Sequence, residues 1–282
     1  IIIISLLSAL LIALCVLVVE MKSTEKKAYQ GLTEIEEDQN MEVENDDNSQ
    51  YIDMPLEKDI EAHFQENGID HEKVAYCITD LEHNIKYSMN EKDEFIAASI
   101  YKLPLAMLYY DKVNEGEYTL DSTFTYSGYM HEDAGVISSD YGIGSQVPLS
   151  DLLNDLIIYS DNDAGHILYE NLGGWKEYKE AMTKYTDSIS ENYYTMDNVT
   201  TANTMNDVVT YLYDHKEDYK GLIKNMEKAE PGEYLDRDTQ LSMPQKYGMY
   251  DYALNSVGFV ECNTSYSIVV LTSLGDKGAD VM

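Results

Sequence analysis

The chain has 282 residues, of which 52 are acidic and 19 basic, giving a formal net charge of −33. That balance repels phosphate backbones and argues against a nucleic-acid partner, while an apolar fraction of 44% excludes wholesale disorder. Arg237 is the only arginine, so the cations are almost all lysines. Tyrosine is abundant, at 25 against 4 Phe, a composition suited to half-buried surfaces. The three cysteines, Cys15, Cys77 and Cys262, form no CxxC pair and cannot make a disulfide framework. Cys77 and Cys262 read as separate thiols.

Residues 1–19 contain seventeen apolar residues, two serines and no charge. As a helix they would extend roughly 28 Å, close to the thickness of a bilayer core. The apolar run is longer than a signal-peptide core of about 7–15 residues and lacks a convincing cleavage site. Leu14 is also too large for a lipoprotein box at Cys15. An uncleaved single-pass membrane anchor is therefore expected, with a long signal peptide as the alternative. Residues 20–50 carry ten acids, three lysines and no proline, a solvated acidic linker.

The pattern changes at Tyr51, where a domain over 51–282 is expected to begin. Pro55 stands near the start of a helix with Leu56, Ile60 and Phe64 on one face. Val74–Thr79 and Ile85–Met89 read as strands joined by a turn at Asp80–Asn84. Phe95–Val113 reads as one long apolar helix. Ser150 is expected to cap a helix in which Leu149, Leu152, Leu153, Leu156 and Ile157 recur at helical spacing. A further helix runs from about Asp163 to Leu172 and stops at Gly173-Gly174, and another spans Thr204–Tyr213. Three strands close the chain, at about Gln245–Tyr252, Leu254–Glu261 and Tyr266–Leu274. Strands and helices in separate blocks predict an α+β fold with a helical insert at about 119–203, not a parallel doubly wound sheet.

Several motifs are absent or incomplete. There is no GxSxG elbow and no HExxH pair, and Gly142 and Gly144 make no phosphate loop. Asp161, Asp163 and Gly165 lack the third oxygen ligand and the closing Glu of a calcium loop. What remains is Ser99-Ile100-Tyr101-Lys102. One helical turn places Lys102 beside Ser99, and a desolvated lysine held there can act as a base toward the hydroxyl. Ser160-Asp161-Asn162 follows between two helices, and Lys246-Tyr247-Gly248 opens the final strands. A serine nucleophile, two lysines and a second hydroxyl form a proton-transfer set that needs no histidine, metal or cofactor.

These elements resemble the Ser-x-x-Lys, Ser-Asp-Asn and Lys-Thr-Gly set of the class A β-lactamase and penicillin-binding-protein superfamily. FIAASIYKLPLAMLYY, LSDLLNDLIIYSDNDAGHILYENLGG and NSVGFV resemble the same family, as does the 61-residue step from Ser99 to Ser160. The resemblance runs from about Phe64 to Leu274. It implies a five-stranded antiparallel sheet flanked by helices, with an all-helical subdomain. It also implies that Ser99 is acylated, Lys102 activates it, and Ser160 relays a proton to the leaving nitrogen with help from Lys246. Asn162, Tyr247, Gly248 and Met249 would contact substrate, with the Ser99 and Met249 N–H groups as oxyanion donors and Asp161 structural. The implied substrate is a β-lactam or cell-wall peptide, and the implied location is the outer face of a membrane.

The chain departs from the family in four respects. Tyr247 replaces a short hydroxyl residue, and no Arg follows Lys246 on its strand; Arg237 precedes the motif and reads as a surface residue. Asn198-Val199-Thr200-Thr201 resembles the segment closing the Ω-loop, yet the step from Ser160 to Lys246 is a short 86 residues. Glu191 is then the nearest candidate for activating the deacylating water. The family's final helix has no counterpart before Met282, so a C-terminal truncation and an uncovered apolar sheet face are expected. Three functions follow: a β-lactamase-like hydrolase, a penicillin-binding or D-alanyl peptidase-like enzyme that deacylates slowly, or a non-catalytic surface or sensor domain.

Overall fold

A computed structural model describes residues 55–128, 135–237 and 239–282. The expected anchor at 1–19 and linker at 20–50 lie outside the described residues. No helix among the described residues is long and apolar enough to cross a membrane.

The chain enters through α1 (Pro55–Asn67), then β1 (Val74–Asp80), β2 (Ile85–Met89) and the short β3 (Phe95–Ile96). Helix α2 (Lys102–Asn114) follows, then β4 (Thr123–Thr125), α3 (Val136–Asp140), β5 (Gln146–Pro148) and α4 (Leu149–Ile158). Next come α5 (Asn162–Asn171), α6 (Trp175–Met182), β6 (Val199–Thr200), α7 (Ala202–Asp214) and α8 (Lys220–Met226). The last strands are β7 (Gln245–Tyr250), β8 (Ala253–Val260) and β9 (Tyr266–Thr272).

Five strands form one antiparallel sheet in the order β2-β1-β9-β8-β7. The expected α+β class and five-stranded sheet are present. Chain-terminal β9 therefore lies at the centre, and β7 is an edge strand. Side chains alternate across the sheet as strand geometry requires. On β1, Ala75 and Cys77 join the main core with the helices, while Val74 and Tyr76 pack with Phe64, Ile60 and Leu56 of α1. The face of α1 is the one its periodicity predicts. The region read as helical, 119–203, holds α3 to α6 but also a two-stranded β4–β5 ribbon. Helix α2 is buried at every position from Lys102 to Tyr110, the signature of a central helix with apolar contacts on all sides.

Two sequence expectations change. Phe95–Val113 is not one helix. Phe95 and Ile96 pair with β6, Ala98 takes a left-handed φ of 48°, and a 3₁₀ turn over Ala98–Tyr101 leads into α2 at Lys102. The cause is competition for backbone groups. Asn255 Nδ2 donates to Ile96 O (2.8 Å) and Ala97 O (3.0 Å), and Ala97 N donates to Asn198 O (2.8 Å). Those groups are thus taken by distant partners instead of a helical ladder. Ser150 likewise does not cap α4: Pro148 holds the N-cap position, and the Ser150 hydroxyl donates to Asp151. Side chains cap two other helices: Asp161 accepts from Ala164 N and Thr201 from Thr204 N.

Cys77 is buried and Cys262 exposed, both as free thiols. The α1 side of the sheet carries an apolar groove of about 370 Å³ between α1 residues Ile60 and Phe64 and Leu235, Ile268, Val270 and Met282.

Asn255 ties the sheet to the turn that precedes Ser99. It is fully buried, and its Oδ1 also accepts from Thr272 N at 3.0 Å. Truncation to alanine strands two carbonyls and one N–H in the interior. Asn255→Ala is expected to lower unfolding free energy by about 2–4 kcal/mol, read from the urea midpoint against the parental chain.

Candidate active site

The buried start of α2 brings the first two elements of the motif set together. Lys102 is fully buried, and a buried ammonium requires acceptors. Its Nζ donates to Ser99 Oγ at 3.1 Å, Asn162 Oδ1 at 2.7 Å and Ser160 Oγ at 3.3 Å, and also to the Ser160 carbonyl. Ser160 holds a left-handed φ of 57° between α4 and α5, a conformation that costs a non-glycine residue roughly 1–2 kcal/mol. The adjoining Asp161 over-determines that bend: its Oδ1 takes Ala164 N at 2.8 Å and its Oδ2 takes Ile137 N at 3.0 Å. Asp161 is therefore spent on backbone donors, as a structural role requires.

Edge strand β7 closes the other side. A Cβ at Gly248 would lie 2.6 Å from Ser99 N and 2.8 Å from Ile100 N, so glycine is what lets β7 lie against the Ser99 turn. Lys246 is fully buried, and its Nζ has no hydrogen-bond partner among the described residues. Burial, then the charge of Lys102, hold its pKa well below the ordinary lysine range. The Nζ sits 4.1 Å from the centre of the Tyr247 ring. Tyr247 in turn stacks on Tyr234, with centroids 4.7 Å apart and planes 8° apart. Burial and then Glu230 push the Tyr247 pKa up to about 12.

A cavity of about 650 Å³ opens over Ser99. Ser99, Asn162 and Met249 line it, as do Tyr101, Asp197 and Asn198. Lys102, Ser160 and Lys246 lie outside the lining, as do Tyr247 and Gly248. A nucleophile at the floor of a cleft, a buried lysine at hydrogen-bond distance and a second hydroxyl on the same lysine can transfer an acyl group. Among the described residues, no cluster of three or more His, Cys, Asp or Glu side chains is arranged to hold a metal.

The sequence pattern of a β-lactamase enzyme family matches residues 55–280. The chain belongs to that family. No curated protein matches it. Solved structures share the fold at low identity. A β-lactamase from Chitinophaga pinensis is 20% identical, with a TM-score of 0.67, covering 80% of this chain and 94% of its own. A β-lactamase from Xanthomonas campestris is 16% identical with a TM-score of 0.68, over 80% and 95% of the two chains. PBP-A, as a mutant in an acyl-enzyme complex with penicillin G, is 16% identical with a TM-score of 0.69, over 81% and 93%.

In this β-lactamase-family chain, Glu191 is exposed and outside the cavity lining. Asp197 is the one carboxylate in that lining. Sequence reading passed over it, although it directly precedes the quoted Asn198-Val199-Thr200-Thr201. Arg237 is exposed and also outside the lining. Asn198 proves to be a support for the turn that leads into Ser99: its Nδ2 donates to Ala98 O at 2.9 Å, beside the left-handed φ of Ala98.

Lys246 carries a stability cost with a definite sign. Its lowered folded-state pKa means that the unfolded chain binds a proton the folded chain resists. The cost is absent above the unfolded value of 10.5 and grows as pH falls toward the folded value. Lys246→Met, which fills the space without a charge, is expected to raise stability at neutral pH by about 1–3 kcal/mol. It should also flatten the alkaline rise in stability, both read from urea unfolding across pH.

Proposed function

We propose that the protein is a serine hydrolase that opens an amide, of the β-lactam or cell-wall peptide class, through an acyl-Ser99 intermediate. The observation that carries this reading is the hydrogen bond from the buried Lys102 Nζ to Ser99 Oγ at the floor of the cavity. With Lys102 in its neutral form, Ser99 Oγ attacks the carbonyl carbon and passes its proton to Nζ. The N–H groups of Ser99 and Met249 receive the developing oxyanion. The C–N bond then breaks, and the leaving nitrogen takes a proton through Ser160 Oγ, supplied by the lysine pair. Water cleaves the resulting ester, releasing an acid and restoring Ser99. Asn162 has its Oδ1 committed to Lys102, which leaves its amide NH₂ for a substrate carbonyl. Tyr247 lies outside the cavity lining with its ring face on Lys246 Nζ, and in this reading it acts through Lys246.

A second reading, an enzyme that is acylated but releases slowly, is favoured by the exposed position of Glu191. The two differ only in the water step. A fluorescent penicillin and a chromogenic cephalosporin test both readings, with Ser99→Ala as the control. Ser99-dependent turnover supports the hydrolase, and a stable label without turnover supports the slow enzyme. Failure of the parental chain to react with either compound or with D-alanyl peptides overturns the acyl-serine reading. Glu191→Gln is expected to leave the lifetime of the label unchanged; a longer lifetime would make Glu191 the water activator after all.

The uncharged run at 1–19 supports a single-pass anchor with the hydrolase domain on the outer face of the cell membrane. The chain is then expected to stay in the membrane fraction after carbonate extraction at high pH, and its release would refute the anchor.

A further inference from the structure

Lys179 on α6 is a buried cation that acyl transfer does not use. It is 2% exposed. Its Nζ donates to the carbonyls of Tyr193 (2.6 Å), Thr195 (2.9 Å) and Asp197 (2.5 Å). Three protons on an ammonium thus meet three carbonyls, one from each alternate residue of a single turn. The Trp175 and Tyr193 rings face the same ammonium at 5.3 and 5.0 Å, a favourable setting for a desolvated cation. No carboxylate is needed to complete this shell. Carbonyl oxygens converging on one charge are the coordination chemistry of a bound monovalent cation, supplied here by a covalently attached lysine.

The clamped turn leads directly to the nucleophile. Met196, Asp197 and Asn198 form one wall of the cavity over Ser99. Asn198, next to the last clamped carbonyl, holds both sides of the strained residue: its carbonyl accepts from Ala97 N at 2.8 Å, and its Nδ2 donates to Ala98 O at 2.9 Å. Ala98 has the left-handed φ of 48° that turns the chain into Ser99. From the same helix as Lys179, Tyr178 donates its hydroxyl to Tyr101 O at 2.8 Å, so α6 grips the Ser99 turn from both ends.

We propose that Lys179 is a positioning residue: its ammonium serves as a built-in cation that fixes the 193–197 turn and, through Asn198, sets the backbone at Ser99 and one wall of the substrate cavity. The clamp stands on its own geometry; its effect on acylation rests on the acyl-serine reading. Without the charge, three carbonyls lose their common donor, the turn moves outward to water, and Asn198 no longer fixes Ala98. Acylation slows because the hydroxyl and the oxyanion donors shift relative to each other, while the sheet is untouched.

The test uses the full chain in mild detergent. Trp175 is its single tryptophan, so indole emission reports directly on the neighbouring ammonium. Lys179→Met keeps the apolar stem and removes the charge. It is expected to slow Ser99 labelling by a fluorescent penicillin about tenfold to a hundredfold. It should also shift Trp175 emission and speed amide hydrogen exchange at 193–198, with exchange in β1, β8 and β9 unchanged. Lys179→Ala should recover labelling as ethylammonium is added and not with sodium chloride, since only the amine can restore donors in the vacated space. Should Lys179→Met fail to fold, Lys179→Gln, which keeps two donors, provides the comparison. Parental labelling rates and unchanged exchange at 193–198 in the uncharged variant overturn the proposal. If the parental chain is not labelled at Ser99, the acyl-serine reading falls, and the clamp is judged by exchange and emission alone; no change in either overturns it as well.

Discussion

An ammonium removed from water must be surrounded by oxygen, and the site is organised around that need at Lys102. The lysine is fixed in place because α2 is buried along its first nine residues, which leaves the side chain no route to solvent. Its acceptors come from two separate pieces of chain: the 3₁₀ turn ahead of α2, and the segment that runs from the strained bend at Ser160 to the first residue of α5. Satisfying one buried charge therefore brings the Ser99 hydroxyl, the Ser160 hydroxyl and the Asn162 amide to a single point. The left-handed backbone at Ser160 is a local cost, and it aims both the carbonyl and the hydroxyl of one residue at the same nitrogen.

Buried amides extend this organisation from the sheet to the nucleophile. Asn255 carries the register of β8 and β9 to the carbonyls of Ile96 and Ala97. Asn198 carries the position of the α6 turn to Ala97 and Ala98. Gly248 sets how closely edge strand β7 approaches Ser99. Ser99 thus sits at a junction of three elements that are each remote from it in sequence, all of them meeting main-chain atoms instead of its side chain. Such an arrangement keeps the Ser99 hydroxyl free to react while its backbone N–H is held still.

Much of this was legible before the fold was known, and the exceptions have physical causes. Strands β1, β2 and β8 follow from short runs of strand-forming residues bounded by turns, and the buried face of α1 follows from its helical periodicity. The apolar stretch from Phe95 to Val113 also shows helical periodicity, yet it breaks at Ala98. The break is imposed by Asn198 and Asn255, about a hundred and a hundred and fifty residues away, and local pattern carries no trace of such partners. Ser99, Lys102, Ser160 and Asn162 could be placed together by motif. The position of Tyr247 outside the cavity lining could not, since its ring is held by stacking on Tyr234, a contact that the local pattern does not show. Lys179 left a readable signal that composition concealed. It occupies the stripe Trp175, Tyr178, Lys179, Met182, at spacings 0, 3, 4 and 7, where an apolar residue belongs. A lysine in that stripe must find oxygen inside the protein.

The lysines also show how one residue type is given different tasks. On the surface they pair with the abundant acids, as Lys112 does with Glu117 and Lys184 with Asp111; exposed pairs of this kind contribute little. The three lysines buried deepest, Lys102, Lys179 and Lys246, differ in their acceptors. Lys179 has three fixed carbonyls, which favour keeping the proton against the pull of burial. Lys246 has no hydrogen-bond acceptor among the described residues and only a ring face, so burial and its charged neighbour favour losing the proton. Lys102 has acceptors that include the hydroxyls of Ser99 and Ser160. A carboxylate holds a lysine's proton more firmly than a carbonyl, a hydroxyl or a ring face does. In a chain with net charge −33, meeting a buried lysine with carbonyls, hydroxyls or a ring face leaves its proton affinity to be set by burial and by neighbouring charge.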